Sequence, residues 1–213
     1  FNYGGVYREV ELFETPQTVI RDLFLYLDDD GIHVEAAVDG PATQAKLAIP
    51  RLDLATTLTL TNGRAQTILQ AQPDLWSPEN PVLYDVTLSA GGDRVGDRVG
   101  FRRIERRGTR ILLNGQPVFL RGISVHEDDE LQGKLTSEAD IRRRFAHARE
   151  LGCNFLRLAH YPHHEMAARI ADEMGLMLWE EIPVYWAVDF TNPATRHDAE
   201  NQLRELIRRD RNL

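Results

Sequence analysis

The chain has 213 residues, 42% hydrophobic and 27% charged, an ordinary globular composition with room for one large or two modest domains. Lys and Arg number 25 against 33 Asp and Glu, and the net charge of −8 argues against nucleic acid or an anionic membrane as the main partner. No run approaches the ~18 apolar residues of a membrane span. The single cysteine, Cys153, allows no internal disulfide and fits a reducing compartment such as the cytoplasm. It follows Gly152 at a helix-to-strand junction, where a small buried residue is expected rather than a nucleophile.

The opening FNYGGVYREV has no initiator Met, so a longer parent protein is expected. A turn at Gly4 and Gly5 runs into VYREVELF, where Val6, Arg8, Val10 and Leu12 alternate with Tyr7, Glu9, Glu11 and Phe13. That alternation predicts a strand whose partner lies elsewhere, since a lone strand is not a domain. From Thr18 to about Gly100, short β-rich runs are separated by turn residues. VIRDLFLYLD ends at the turn Asp28-Asp29-Asp30-Gly31. GIHVEAAVDGP, QAKLAIP, ATTLTLTNGR, AQTILQ and PVLYDVTLSA follow, with Asn62-Gly63 as a hairpin-type turn. Six or seven such strands predict an immunoglobulin-like sandwich, and the absence of a Cys pair excludes an antibody-type domain. His33 is expected to face solvent. Trp76, in the Pro-rich loop PDLWSPENP, is expected to pack on a neighbouring face, with sugar stacking as the rival role. Phe101 to Asn114 reads as a hairpin turning near Gly108.

The pattern changes after Val118. VFLRGISV, FLRLA and LMLW are short apolar runs separated by helical spacing. Ser137 with Asp140 caps a helix carrying Ile141, Phe145 and Ala148, and Gly152 closes it. Pro162 suits the first turn of a second helix with Met166, Ile170 and Met174, ended by Gly175. Asn192-Pro193 opens a third, with Ala199, Leu203, Leu206 and Ile207 facing inward. Strict βαβαβα order with short links demands a parallel sheet with right-handed crossovers, here the opening of a (β/α)8 barrel. Barrel sites lie at the C-terminal strand ends. His126 and Glu127 follow the first strand, His160 and Tyr161 the second, and Glu180 and Glu181 close the third, so these residues are the candidate rim.

Several stretches resemble glycoside hydrolase family 2, the β-galactosidases and β-glucuronidases. They are RGISVHEDDELQGK, LGCNFLRLAHYPHHEMAARIADEMGLMLWEEIP, LRELIRRDRN, LWSPENPVLYDVTL and DRVGDRVGFRRI. The resemblance covers nearly the whole chain. It implies a multidomain fragment: 1–17 as the last strand of a sugar-binding jelly roll and its linker, 18–103 as the immunoglobulin-like β-sandwich, and 104–213 as the first part of a TIM barrel. It implies a retaining exo-β-glycosidase with a β-glycoside substrate. His126 and His160 match the family's two barrel histidines that contact substrate, and Arg157 matches an arginine near the catalytic carboxylates. Glu127, Tyr161 and Glu181 complete the expected substrate-binding set. The two catalytic Glu of the family are expected beyond Leu213, which makes this stretch inactive alone. No cofactor is implied: where the magnesium-dependent β-galactosidases carry a Glu and a His after the third strand, this chain reads IPVYWAVDF, without either.

Three rival readings follow from the residues. His126, His160, His163 and His164 suggest a metallohydrolase, though no close-spaced ligand pair is present. The Trp76 loop suggests a non-catalytic carbohydrate- or protein-binding module. Glu127 and Glu181 suggest a catalytic pair of their own, but they follow strands one and three, which are not neighbours. An open barrel edge further predicts a homodimer by edge pairing, or loss of order after Pro183.

Overall fold

The computed structural model describes residues 5–131, 133, 134 and 136–213. It forms two compact units. One spans Leu12–Val118 and takes in Asn212 and Leu213. The other spans Phe119–Arg211 and takes in Gly5–Glu11.

The first unit is the expected sandwich, with seven strands in two antiparallel sheets: β1 (Val19–Asp28), β2 (Gly31–Asp39), β3 (Gln44–Ile49), β4 (Leu54–Thr59), β5 (Arg64–Leu69), β6 (Tyr84–Ala90) and β7 (Asp93–Val99). One sheet runs β1-β2-β5 and the other β4-β3-β6-β7. Burial follows the pleat: in β2, Ile32, Val34, Ala36 and Val38 are buried while their neighbours are not. The core joins these to Leu25, Leu47, Ile49, Val86 and Leu88 from both sheets. The Asn62-Gly63 turn forms, both residues at positive φ, with Thr61 and Arg64 exchanging backbone hydrogen bonds. It is not a hairpin within one sheet, however. β4 pairs with β3 and β5 with β2, so the turn carries the chain from one sheet to the other.

Trp76 is 1% exposed, so its indole has no face for a sugar. It packs under the Arg102 guanidinium, 4.7 Å from the ring centroid. Gly100 is required beside it, because a Cβ there would come within 2.7 Å of the indole. His33 is less solvated than expected: its ring stacks on Tyr26 at 4.7 Å and bonds Asp30 at 2.6 Å. A hairpin of β8 (Ile104–Arg107) and β9 (Arg110–Leu113), extended by β10 (Gln116–Pro117), follows the sandwich.

The second unit holds the parallel sheet β11 (Gly122–Val125), β12 (Phe155–Leu158) and β13 (Met177–Glu180), in that order, with α1 (Glu138–Glu150), α2 (Met166–Met174) and α3 (Pro193–Asp210). Leu156 and Leu158 are fully buried against Ile141, Phe145 and Ile170, so one sheet face is covered by α1 and α2. Ser137 and Asp140 form a reciprocal capping box at the start of α1. The Ser137 hydroxyl, helped by its backbone N–H and by Arg143, holds the Asp140 carboxyl down to about 2. Gly175 ends α2 in the left-handed conformation that an L side chain disfavours.

Other expectations also differ from the structure. VYREVELF forms no strand: residues 6–13 have no ladder partner among the described residues, and alternation without a partner leaves the backbone unpaired. Gly4 of the expected turn lies outside the described residues. Pro162 does not open α2, which begins at Met166, because the intervening groups are used elsewhere. The His164 N–H goes to Glu127 and its ring Nδ1 accepts from the Met166 N–H at 3.1 Å. On α3, only Leu206 of the four expected apolar residues is buried, while Leu203 and Ile207 remain open. α3 itself forms in full, capped by Asn192, so order continues past Pro183.

Candidate active site

The register Val125–Leu158–Glu180 brings the three parallel strands to a common end. The residues that follow therefore share one rim. One step back, Ser124, Arg157 and Trp179 lie side by side, on the face opposite the buried Leu156 and Leu158.

Arg157 is the hub. Its Nε donates to Glu181 Oε1 at 2.6 Å and its Nη2 to Oε2 at 3.1 Å, a two-point grip on one carboxylate. The same Nη2 lies 2.9 Å from His160 Nδ1. Guanidinium only donates, so that bond requires an unprotonated Nδ1 and places the neutral ring's proton on Nε2, facing away from the cluster. His160 Nδ1 is also 3.1 Å from Glu181 Oε2, a distance that becomes a hydrogen bond only when Nδ1 is protonated. His160 Nδ1 thus has two settings: without a proton it accepts from Arg157, and with one it donates to Glu181. Burial pushes the Glu181 carboxyl up, but the bonds from Arg157 and His160 outweigh it and hold the group below its ordinary value. The Ala159–His160 peptide is cis.

The aromatic rings of the rim surround His160. His126 meets it edge-on at 5.3 Å and Tyr185 lies 5.5 Å away. His126 is also 6.1 Å from Tyr161, which stacks on His163 at 5.0 Å and carries the Lys134 ammonium 4.0 Å from its centroid. Burial raises the Tyr161 phenol, keeping it a neutral hydrogen-bonding group.

His163 and His164 do not join a metal cluster. His163 is 3% exposed, its Nε2 bonds the Ala159 carbonyl at 3.0 Å, and burial lowers its affinity for a proton. His164 uses Nδ1 to accept the Met166 N–H at the start of α2. Among the described residues no three His, Cys, Asp or Glu side chains gather as ligands.

Glu127 differs from its expected position as a sugar contact. It is 2% exposed, one oxygen pairs with Arg8 and the other accepts the His164 N–H at 2.5 Å. Both oxygens are committed behind the rim, so its carboxylate has no free face. Glu127 and Glu181 are each held by an arginine, so neither carboxylate is free to exchange a proton with a leaving group or to attack a sugar, as the two carboxylates of a retaining glycosidase must. That removes the physical basis for Glu127 and Glu181 as a catalytic pair.

Sequence reasoning missed Arg8 and Tyr185, and it set Glu180 on the rim, where the structure does not place it. Arg8 carried a signal, a charge among Val6, Val10 and Leu12 on one side of the expected strand. Tyr185 was noted only as a departure from a metal-binding pattern. Glu180 lies instead in an acidic pair on the helix side of the sheet. Glu180, in register with Leu158, faces Asp210 and Arg209 at the end of α3. Burial, reinforced by Asp210 and only partly offset by Arg209, raises the Glu180 carboxyl to about 7.

A parallel βα sheet with polar groups gathered at its C-terminal strand ends is the layout of a TIM-barrel active face. Residues 104–212 match the model of the TIM barrel domain of glycosyl hydrolases family 2, and residues 20–102 match a further domain model of the same family. The chain belongs to glycosyl hydrolases family 2. It is 28% identical to a β-galactosidase of Arthrobacter sp. (strain B7), over 98% of this chain and 22% of that protein. It is 30% identical to the β-glucuronidase of Rattus norvegicus, over 100% of this chain and 35% of the relative. Among solved structures, apo β-glucuronidase 3 of Bacteroides uniformis superposes with a TM-score of 0.83 at 29% identity, covering 98% of this chain and 28% of that one. The chain spans between 18% and 39% of the length of such curated relatives.

Proposed function

We propose that this chain is the substrate-binding half of a retaining exo-β-glycosidase acting on terminal β-D-glycosides of galactoside or glucuronide type. The observation that carries the reading is the Arg157–Glu181–His160 cluster at the common end of three parallel strands, with His126, Tyr161 and Tyr185 around it. Its polar groups are fixed by one another before any sugar arrives, which is the preorganisation a transition state needs. His126 and His160 offer ring nitrogens to sugar hydroxyls, and His160 does so through Nε2 while Nδ1 is held by Arg157. Tyr185 supplies an apolar ring face beside them, and Tyr161 braces His126.

A retaining glycosidase uses two carboxylates about 5–5.5 Å apart, one as acid/base and one as nucleophile. Glu127 and Glu181 are both committed to arginines, so in this reading the catalytic pair is contributed by residues outside these 213, and the chain alone is inactive. No magnesium enters the reading, since residues 182–190 contain no Glu or His.

The experiment is a panel of aryl β-D-glycosides with the full-length protein, repeated with His160→Ala. Hydrolysis of a galactoside or glucuronide, reduced about 100-fold or more by the substitution, supports the reading. An unaffected His160→Ala enzyme contradicts it.

A further inference from the structure

The segment Gly5–Glu11 precedes the sandwich in sequence yet belongs to the barrel unit. Within it, Arg8 lies against Glu127, 119 residues later. Arg8 Nη2 takes one carboxylate oxygen, while Nη1 is buried without a hydrogen-bond partner, so the guanidinium serves Glu127 through a single arm. The Tyr7 ring sits 4.9 Å from the same guanidinium.

Glu127 in turn ties three segments together. Its second oxygen accepts the His164 N–H at 2.5 Å. Its own N–H donates to the Tyr161 hydroxyl at 3.2 Å, and its carbonyl accepts from Thr136 Oγ1 at 3.3 Å. It is the immediate neighbour of His126. The groups facing the carboxylate are Arg8, Tyr161 and His163. A carboxylate 2% exposed calls for a paired cation and satisfied oxygens in place of water. His163 is held neutral by burial, which leaves Arg8 as that cation.

We propose that Arg8 is a positioning residue for the sugar site: by pairing with buried Glu127 it locks the 126–127 and 161–164 loops, and so sets His126 and Tyr161 against His160. Arg8 touches no substrate itself. The proposal rests on the glycosidase reading for its consequence in catalysis, but not for its geometry. The segment that precedes the sandwich therefore acts on a site built by the barrel strands, through one ion pair.

Two measurements test this. In the 213-residue chain, histidine ring resonances are compared for the parent, Arg8→Met and Glu127→Gln. The His126 and His164 signals are expected to shift in both variants, with His33 of the sandwich unmoved. In the full-length enzyme, Arg8→Met is expected to lower kcat/KM on the preferred aryl glycoside about tenfold or more near neutral pH, as displaced contacts do. The deficit should be relieved by adding Glu127→Gln, which removes the orphaned charge. A merely structural loss would show no rescue. Unmoved His126 and His164 signals, or a loss that Glu127→Gln leaves unchanged or deepens, overturn the proposal. If the parent enzyme cleaves no glycoside, the functional reading fails, and the histidine signals alone decide the positioning role. Should Arg8→Met not fold, Arg8→Lys is read the same way, with a smaller shift expected and no shift overturning the claim.

Discussion

Glu180 gives a quantitative test of how α3 is fastened to the sheet. Its side chain is 19% exposed, one oxygen has no hydrogen-bond partner, and Arg209 approaches only to 3.7 Å while bonding Asp210 at 2.6 Å. Burial first, then the neighbouring Asp210, raises its carboxyl from 4.5 to about 7. Between those values the folded state binds a proton that the unfolded chain has released. Stability therefore falls as pH rises from about 4.5 to about 7 and stays at the lower level above that. At ~1.4 kcal/mol per pKa unit the penalty at alkaline pH is roughly 3 kcal/mol at most. Glu180→Gln keeps the shape and removes the charge. Amide exchange of β12 and β13, followed in increasing urea at about pH 5 and pH 8, should show the parent weakening at the higher pH and the variant nearly flat. The variant should exceed the parent by about 1–3 kcal/mol at pH 8. An unchanged pH slope in Glu180→Gln, or a parent that strengthens towards pH 8, would refute the argument.

Other consequences follow from the same geometry. Arg157→Lys replaces a two-point grip on Glu181 by a single-point charge and frees His160 Nδ1, so kcat/KM of the full-length enzyme should fall about tenfold or more while the chain's circular dichroism stays unchanged. Ser137→Ala removes the α1 cap and should cost about 1 kcal/mol in urea unfolding. It also releases the Asp140 carboxyl from its depressed value. The parent keeps that contribution above the ordinary carboxyl range and loses it as pH falls through about 2, whereas the variant loses it earlier. β13 has a neighbour on one side only among the described residues, Trp179 is 59% exposed, and Leu203 and Ile207 stand open on α3. Edge and face together predict self-association of the 213-residue chain, read by light scattering against concentration. A monomer at all concentrations would show that these surfaces do not pair.

The elements of both units were legible because their cores follow simple periods. β2 alternates strictly, and Ile141, Phe145 and Ala148 recur at helical spacing on α1. Ser137, Gly175 and Asn192 mark helix ends by local chemistry alone, so sequence suffices for them. Residues 6–13 show the limit of periodicity: they alternate as a strand would, but a ladder requires a partner, and pairing is not encoded in one segment. Asn62-Gly63 shows another limit, since the turn type is local while the sheet each flanking strand joins is not. At the site, the barrel rule placed His126, His160, Tyr161 and Glu181 on one rim from their positions after strands. Which oxygen meets which arginine was not readable. Arg8 and Glu127 are 119 positions apart, and the commitment of Glu127 to that pair, rather than to the open rim, depends on tertiary packing. The rise of the Glu180 carboxyl likewise requires α3 to bring Asp210 against it.

In the proposed function these residues form the wall against which a sugar sits, while the carboxylates that break the bond lie outside them. The decisive measurement is hydrolysis of an aryl β-D-galactoside and an aryl β-D-glucuronide by the 213-residue chain and the full-length protein side by side, with the anomer of the released sugar followed by NMR. No hydrolysis by the chain is expected, with release of the β-anomer by the full-length protein on at least one of the two substrates. Turnover by the chain alone, or release of the α-anomer by the full-length protein, would contradict it.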